Sequence, residues 1–374
     1  MRTSRLRLAL AVSLGWVGIS AGAAPATAPS SGLADALLAK TADSRLARQL
    51  ELFGRFVGDW EVAVTNHLPD GTRQTLNGEW HFGWILGGAA IQDVWMVPAR
   101  AERASGKPLV AYGTTLRFYD AKLDAWHGVW ASASYRNFIL FTARGGSGEI
   151  TMEAENAQPP IRWVFSDVTA QSFRWRAMES KDGWKTADVQ QEMTATRVSD
   201  RGGLAAALLA SGPAPGFEAE NRLFGQFAGD WTIRYEGFPR DGSIVETTGA
   251  LNVGWILDGR AVQDVWRFDN PKTGEGSAGT TLRVYDPRLD AWHSIWFYPA
   301  GNVIETFVAR QKSDEIVLDG ASPTGLPQQW IFSKITPGSF DWREVVSTDN
   351  RATWYVTEHM WIARRAATSS PSSR

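Results

Sequence analysis

Gly83–Trp95 (GWILGGAAIQDVW) recurs almost unchanged as Gly254–Trp266 (GWILDGRAVQDVW), and this repeat decides how the chain is read. Around it, Phe53–Trp60 (FGRFVGDW) pairs with Phe224–Trp231 (FGQFAGDW), at the same spacing of 171 that separates 83 from 254. Gly113–Trp130 (GTTLRFYDAKLDAWHGVW) pairs with Gly279–Trp296 (GTTLRVYDPRLDAWHSIW), now at the 166 that separates 113 from 279. The five-residue change falls in a Pro- and Gly-containing loop, where length is cheaply altered. Later blocks stay collinear: Trp163–Ser166 with Trp330–Ser333, Phe173 and Trp175 with Phe340 and Trp342, and Met193…Arg197 with Met360…Arg364. Collinear identity of this density is a tandem duplication, with copies at 48–198 and 219–365.

Within each copy the period is two. Trp80-Phe82-Trp84, Trp126-Gly128-Trp130 and Phe173-Trp175 each set their aromatics on one face of a strand. Asp70-Gly71 and Asp241-Gly242 suggest type I′ hairpins, and the Tyr-Asp-x-x-Leu-Asp-Ala-Trp blocks read as a further hairpin. Eight to ten short strands fit each copy with no helical crossover, which predicts an all-β fold of two tandem antiparallel barrels. Each barrel is preceded by a short helix: residues 24–47 carry apolar positions at helical spacing, and the linker 199–218 is rich in Ala, Gly and Pro.

The ends read differently. Arg2, Arg5 and Arg7 precede an apolar run from Leu8 to Ser20 and an Ala21-Gly22-Ala23 site, so 1–23 is expected to be a signal peptide. A periplasmic or secreted location follows from it. The small polar tail 366–374 is expected to be disordered. The chain has no cysteine, so an exported form would stand on its hydrophobic cores alone. A net charge of −2 gives no electrostatic footprint for nucleic acid, and no later apolar run is long enough for integral membrane association.

Gly58-Asp59-Trp60 and Gly229-Asp230-Trp231 open the first strand of each copy, and each copy closes near an arginine, Arg197 or Arg364. This pattern resembles the calycin or lipocalin-like superfamily, in particular bacterial lipocalin-like domains of the Gly-Asp-Trp type. The resemblance implies calycin-like barrels in which the first-strand tryptophan packs against that basic residue. Carotenoid hydratases, which also look like paired lipocalin-like barrels, keep an enzymatic reading open.

Candidate site residues are those kept in both copies. Asp93 and Asp264 share a strand face with Trp95 and Trp266, and a carboxylate on an apolar face must be paired or be costly to bury. Each is either a general acid/base or ligand anchor inside the barrel, or the partner of Arg117 or Arg283. Those arginines share a face with Tyr119 and Tyr285 and could instead orient a ligand carbonyl. His127 and His293 are further candidates for base catalysis, although their spacing puts them opposite Trp126 and Trp292. One histidine per copy makes a poor metal site, so no metal and no cofactor is expected. No nucleophile elbow, zinc-protease, P-loop or dinucleotide fingerprint occurs.

Nineteen tryptophans exceed what packing needs, because each brings an N–H that wants a partner. Trp95, Trp126 and Trp130, with Trp266, Trp292 and Trp296, are therefore candidate ligand-binding walls. The expected partner is a hydrophobic or aromatic small molecule. A cofactor-independent hydratase, isomerase or cyclase, and a ligand-free envelope interaction module, are the alternatives. Glu305 stands where the first copy has Ile139, and Asp258 and Arg260 stand where it has Gly87 and Ala89. These changes mark the second barrel as the more polar and as the candidate for a specificity of its own.

Overall fold

A computed structural model describes residues 31–199, 201–217, 222–269 and 276–365. The proposed signal peptide and the polar tail lie outside the described residues.

Alternating inward and outward side chains close each copy into a ten-stranded, up-and-down antiparallel barrel. The first runs from strand Gly58–His67 to strand Asp188–Val198, each strand pairing with the next and the last pairing with the first. The second runs in the same order from Gly229–Gly237 to Tyr355–Arg364. Closure gives every strand of each ring two neighbours among the described residues, and a two-residue segment, Leu38–Ala39 or Leu209–Ala210, pairs onto the end of one strand.

The closing seam is where the Gly-x-Trp pattern acts. Trp60 stands opposite Arg197, whose guanidinium lies 4.1 Å from the indole ring centre, and Trp231 has the same relation to Arg364. The Trp60 N–H donates to the Phe56 carbonyl at 2.7 Å, and Arg197 donates to the carbonyls of Arg55, Val57 and Ala170. Gly58 has φ of 129°, and a Cβ there would come within 2.4 Å of the arginine, so only glycine permits the stack. The two closed ten-strand barrels fit a tandem calycin-like fold.

Two expectations about local structure change. The Asp70-Gly71 and Asp241-Gly242 turns are not type I′, because only the glycine of each pair has positive φ. In both, the aspartate carboxylate accepts the N–H and hydroxyl two residues on, from Thr72 or Ser243, and this fixes a longer loop. The helices also divide their work. Ala47–Gly54 and Arg222–Gly225 each plug one end of their own barrel, where Phe53 and Phe224 are buried. Ser31–Leu37 instead packs Leu33 and Leu37 against the second barrel, and Gly203–Leu208 packs on the first. Each barrel is thus capped from outside by a helix that precedes the other.

The barrels share one apolar interface. Val94, Leu116, Phe118 and Val129 point outward from the first and meet Val265, Leu282, Ile295 and Phe297 of the second. At its centre Gln92 and Gln263 exchange two amide hydrogen bonds of 3.1 Å, and each also donates to a threonine, Thr114 or Thr280. Asp258, one of the residues that differ between copies, pairs across this interface with Arg103 at 2.5 Å.

Candidate functional site

Both barrels are blocked at the helix-plugged end and hollow at the other. Below the plug sits a buried ion pair. Asp93 accepts from Arg117 Nη2 at 2.5 Å and from the Thr115 hydroxyl at 3.1 Å, and both charged side chains are at most 1% exposed. Asp264 and Arg283 make the same contact in the second barrel. Burial pushes the Asp93 carboxyl up and the Arg117 guanidinium down, and their mutual attraction opposes both shifts. Phe53 covers the Arg117 guanidinium, 4.9 Å from ring centre, and Phe224 covers Arg283 at 4.6 Å. The pair therefore forms a charged floor between the plug and the open half of the barrel.

Above that floor, the first barrel encloses a cavity of about 160 Å³. Its walls are Trp80, Trp95, Trp130, Trp163 and Trp175, with Met193 between them. Trp95 and Trp130 meet edge to face with centroids 6.0 Å apart. Gly113 makes room for this, since a Cβ there would fall 2.4 Å from the Trp130 ring. Arg117 lines the base of the cavity, and its Nε and Nη1 are buried with no hydrogen-bond partner among the described residues. An unpaired guanidinium N–H beneath five indoles suits a planar apolar body carrying one acceptor atom.

The second barrel holds a cavity of about 340 Å³ at the matching end. Trp266, Trp296, Trp330 and Trp342 repeat the indole walls; Trp330 and Trp342 meet with centroids 5.3 Å apart. Three carboxylates join them. Glu305 is directly opposite Trp296, where Ile139 faces Trp130 in the first barrel. Glu344 and Glu358 occupy the positions of Ala177 and Gln191, being paired with each other across neighbouring strands as those two are. Burial and then the nearby Glu344 push Glu305 up to about 7. The same causes push Glu358 up to about 8, with a smaller contribution from Glu305. Glu344 accepts from Gln328, from the Trp330 N–H and from the Thr357 hydroxyl. Half-buried Tyr235, beside Glu358, is raised as well, mainly by burial.

The predicted site residues separate into four groups. Trp95, Arg117 and Trp130 line the first cavity; Trp266, Trp296 and Glu305 line the second. Asp93, Asp264 and Arg283 lie in the charged floors. Trp126, Tyr119, Trp292 and Tyr285 sit at the plugged ends: Trp126 packs on Phe53 at 4.9 Å, and each tyrosine hydroxyl donates to a hairpin aspartate, Asp124 or Asp290. His127 and His293 are on the outer faces, close to Asp120 and Asp286, and are not brought to either cavity. Trp80, Trp163, Trp175, Glu344 and Glu358 are cavity residues that the reading of the sequence did not single out. A period-two signal was present, since Trp342 and Glu344 share one strand face and Glu358 and Met360 another.

No protein-family model matches the sequence, and no curated protein matches it. Among solved structures, an S-type phycobiliprotein lyase from Guillardia theta is similar at 11% identity and a TM-score of 0.31, covering 41% of this chain and 99% of that one. A protein of unknown function from the DUF3598 family of Nostoc punctiforme is similar at 12% and 0.20, covering 85% and 99%. Kievitone hydratase from Nectria haematococca is similar at 8% and 0.12, covering 87% and 96%.

Proposed function

We propose that the protein is a carrier that binds an apolar, aromatic small molecule in its first barrel. The observation that carries this reading is the indole-walled cavity with buried, unpartnered Arg117 N–H groups at its base. A buried donor left unpaired costs on the order of 1–3 kcal/mol, which a ligand acceptor would recover. Asp93 already balances the Arg117 charge, so the acceptor is a neutral carbonyl or hydroxyl oxygen rather than a second carboxylate. Acid–base catalysis by Asp93 fits less well, because its carboxylate is held by Arg117 and Thr115 and does not line the cavity.

The same proposal places the mature protein in the periplasm or outside the cell, on the strength of residues 1–23. Intact mass of the secreted or periplasmic form should show the chain beginning after Ala23.

The binding reading is tested with a neutral aromatic ketone, 2-acetonaphthone, followed by quenching of tryptophan fluorescence. Saturable quenching is expected, and Ile139→Trp, which fills the cavity from its wall, should abolish it. Native mass spectrometry of protein from its own host should then show a co-purified neutral aromatic compound. Quenching that survives Ile139→Trp would remove the first cavity as the site.

A further inference from the structure

We propose that the second barrel is a separate binding site for an organic cation, a protonated or quaternary amine seated among its tryptophans with its charge toward Glu305. Three carboxyl groups, of Glu305, Glu344 and Glu358, face one cavity, and none forms an ion pair with a described basic residue. Carboxylates buried without a counter-charge are costly, and the cavity must resolve that cost by protonation or by a cationic guest. Glu305 is the sharpest case. It is 9% exposed, it faces the cavity, and its Oε1 has no hydrogen-bond partner among the described residues.

The walls select the class of guest. Trp296 and Trp330 stand with centroids 5.9 Å apart, Trp342 closes a third side, and Tyr235 and Phe268 add two further rings. Indole faces attract cations through their quadrupole, most strongly where water is excluded. The indole N–H groups of Trp266 and Trp342 are also without partners among the described residues, so the rings are not oriented by hydrogen bonds of their own. Among the described residues no group of three or more His, Cys, Asp or Glu side chains is placed to hold a metal ion, which leaves an alkylated or protonated nitrogen as the matching charge. A proton on Glu305 or Glu358, held there by burial and by the neighbouring carboxyls, is what the guest would displace.

The proposal stands on the second cavity alone and does not depend on the neutral ligand assigned to the first. Its test is a titration of the full chain with benzyltrimethylammonium, and in parallel with its uncharged carbon isostere, neopentylbenzene. The cation should bind at least about tenfold more tightly than the isostere. Replacing Glu305 and Glu358 together by Gln, the neutral mimic of the protonated acid, should erase that preference while leaving 2-acetonaphthone quenching unchanged. As an independent check, Ile139→Glu, Ala177→Glu and Gln191→Glu introduced together should give the first barrel a second cation site. Equal binding of cation and isostere, unchanged cation binding in the double Gln variant, or no cation binding up to about 10 mM would each overturn the proposal.

Discussion

The two barrels differ least at their plugged ends and most at their open ends. Both copies keep the Gly-x-Trp stack on the closing arginine, the aspartate–arginine floor and the glycine that admits a wall tryptophan. At the open end, Ile139, Ala177 and Gln191 of the first barrel are replaced by Glu305, Glu344 and Glu358 of the second. Three changes at constant register add three carboxyls to the indole walls without touching closure. The duplication thus kept what folds the barrel and varied what the barrel can hold.

The largest effect is expected where the copies agree. Asp93→Ala and Asp264→Ala each strand a buried guanidinium, and each should cost about 3–5 kcal/mol in urea unfolding. Similar losses support a shared floor; a loss confined to one copy breaks the comparison.

A second test uses pH. Glu305 and Glu358 titrate near 7 and 8 when folded, above the ordinary carboxylate range, so the folded chain holds protons that the unfolded chain releases. Their contribution is full below the ordinary carboxylate pKa and is lost as pH rises through 7 to 8. Wild-type stability should therefore fall by several kcal/mol between pH 5 and 8, at about 1.4 kcal/mol per pH unit for each acid still protonated in the folded chain. Glu344 and Tyr235, the neighbouring acids, stay in place when Glu305 and Glu358 are both changed to Gln, and that variant should flatten the slope. Asp286 and Glu79, held down to about 2 by their partners, give a contribution that stays present across this window. An unaltered slope in the variant would deny the second barrel its acidic character.

The smallest effect concerns the shared interface. Gln92→Leu strands the Gln263 amide and should cost about 1–3 kcal/mol, whereas Gln92→Leu with Gln263→Leu should recover most of it. Purely additive losses would mean that the amide exchange contributes no coupling.

Much of this was legible in the sequence. The repeat gave two barrels, and period two put Asp93 on one face with Trp95 and Arg117 on one face with Tyr119; closure of the barrel then turned those faces inward. The face opposite Trp126 put His127 outside. Alternation cannot say how far along a barrel a residue lies, however. Tyr119 and Trp126 point inward yet sit beside the plug, whereas Trp163 and Trp175 stand at the hollow end. Glu344 and Glu358 were not singled out, since their pairing needs the register of the last hairpin and their approach to Glu305 brings together strands that do not pair. The crossing of the Ser31–Leu37 helix to the second barrel is likewise a tertiary choice that an amphipathic pattern does not specify.

The most direct test is a titration in which 2-acetonaphthone and benzyltrimethylammonium are added to the same sample, separately and together. Two differently charged cavities predict one site for each probe, with neither changing the affinity of the other. Ile139→Trp should remove only the ketone site, and the Glu305 and Glu358 double Gln variant only the cation site. Competition between the probes, or loss of both to one variant, would contradict the account.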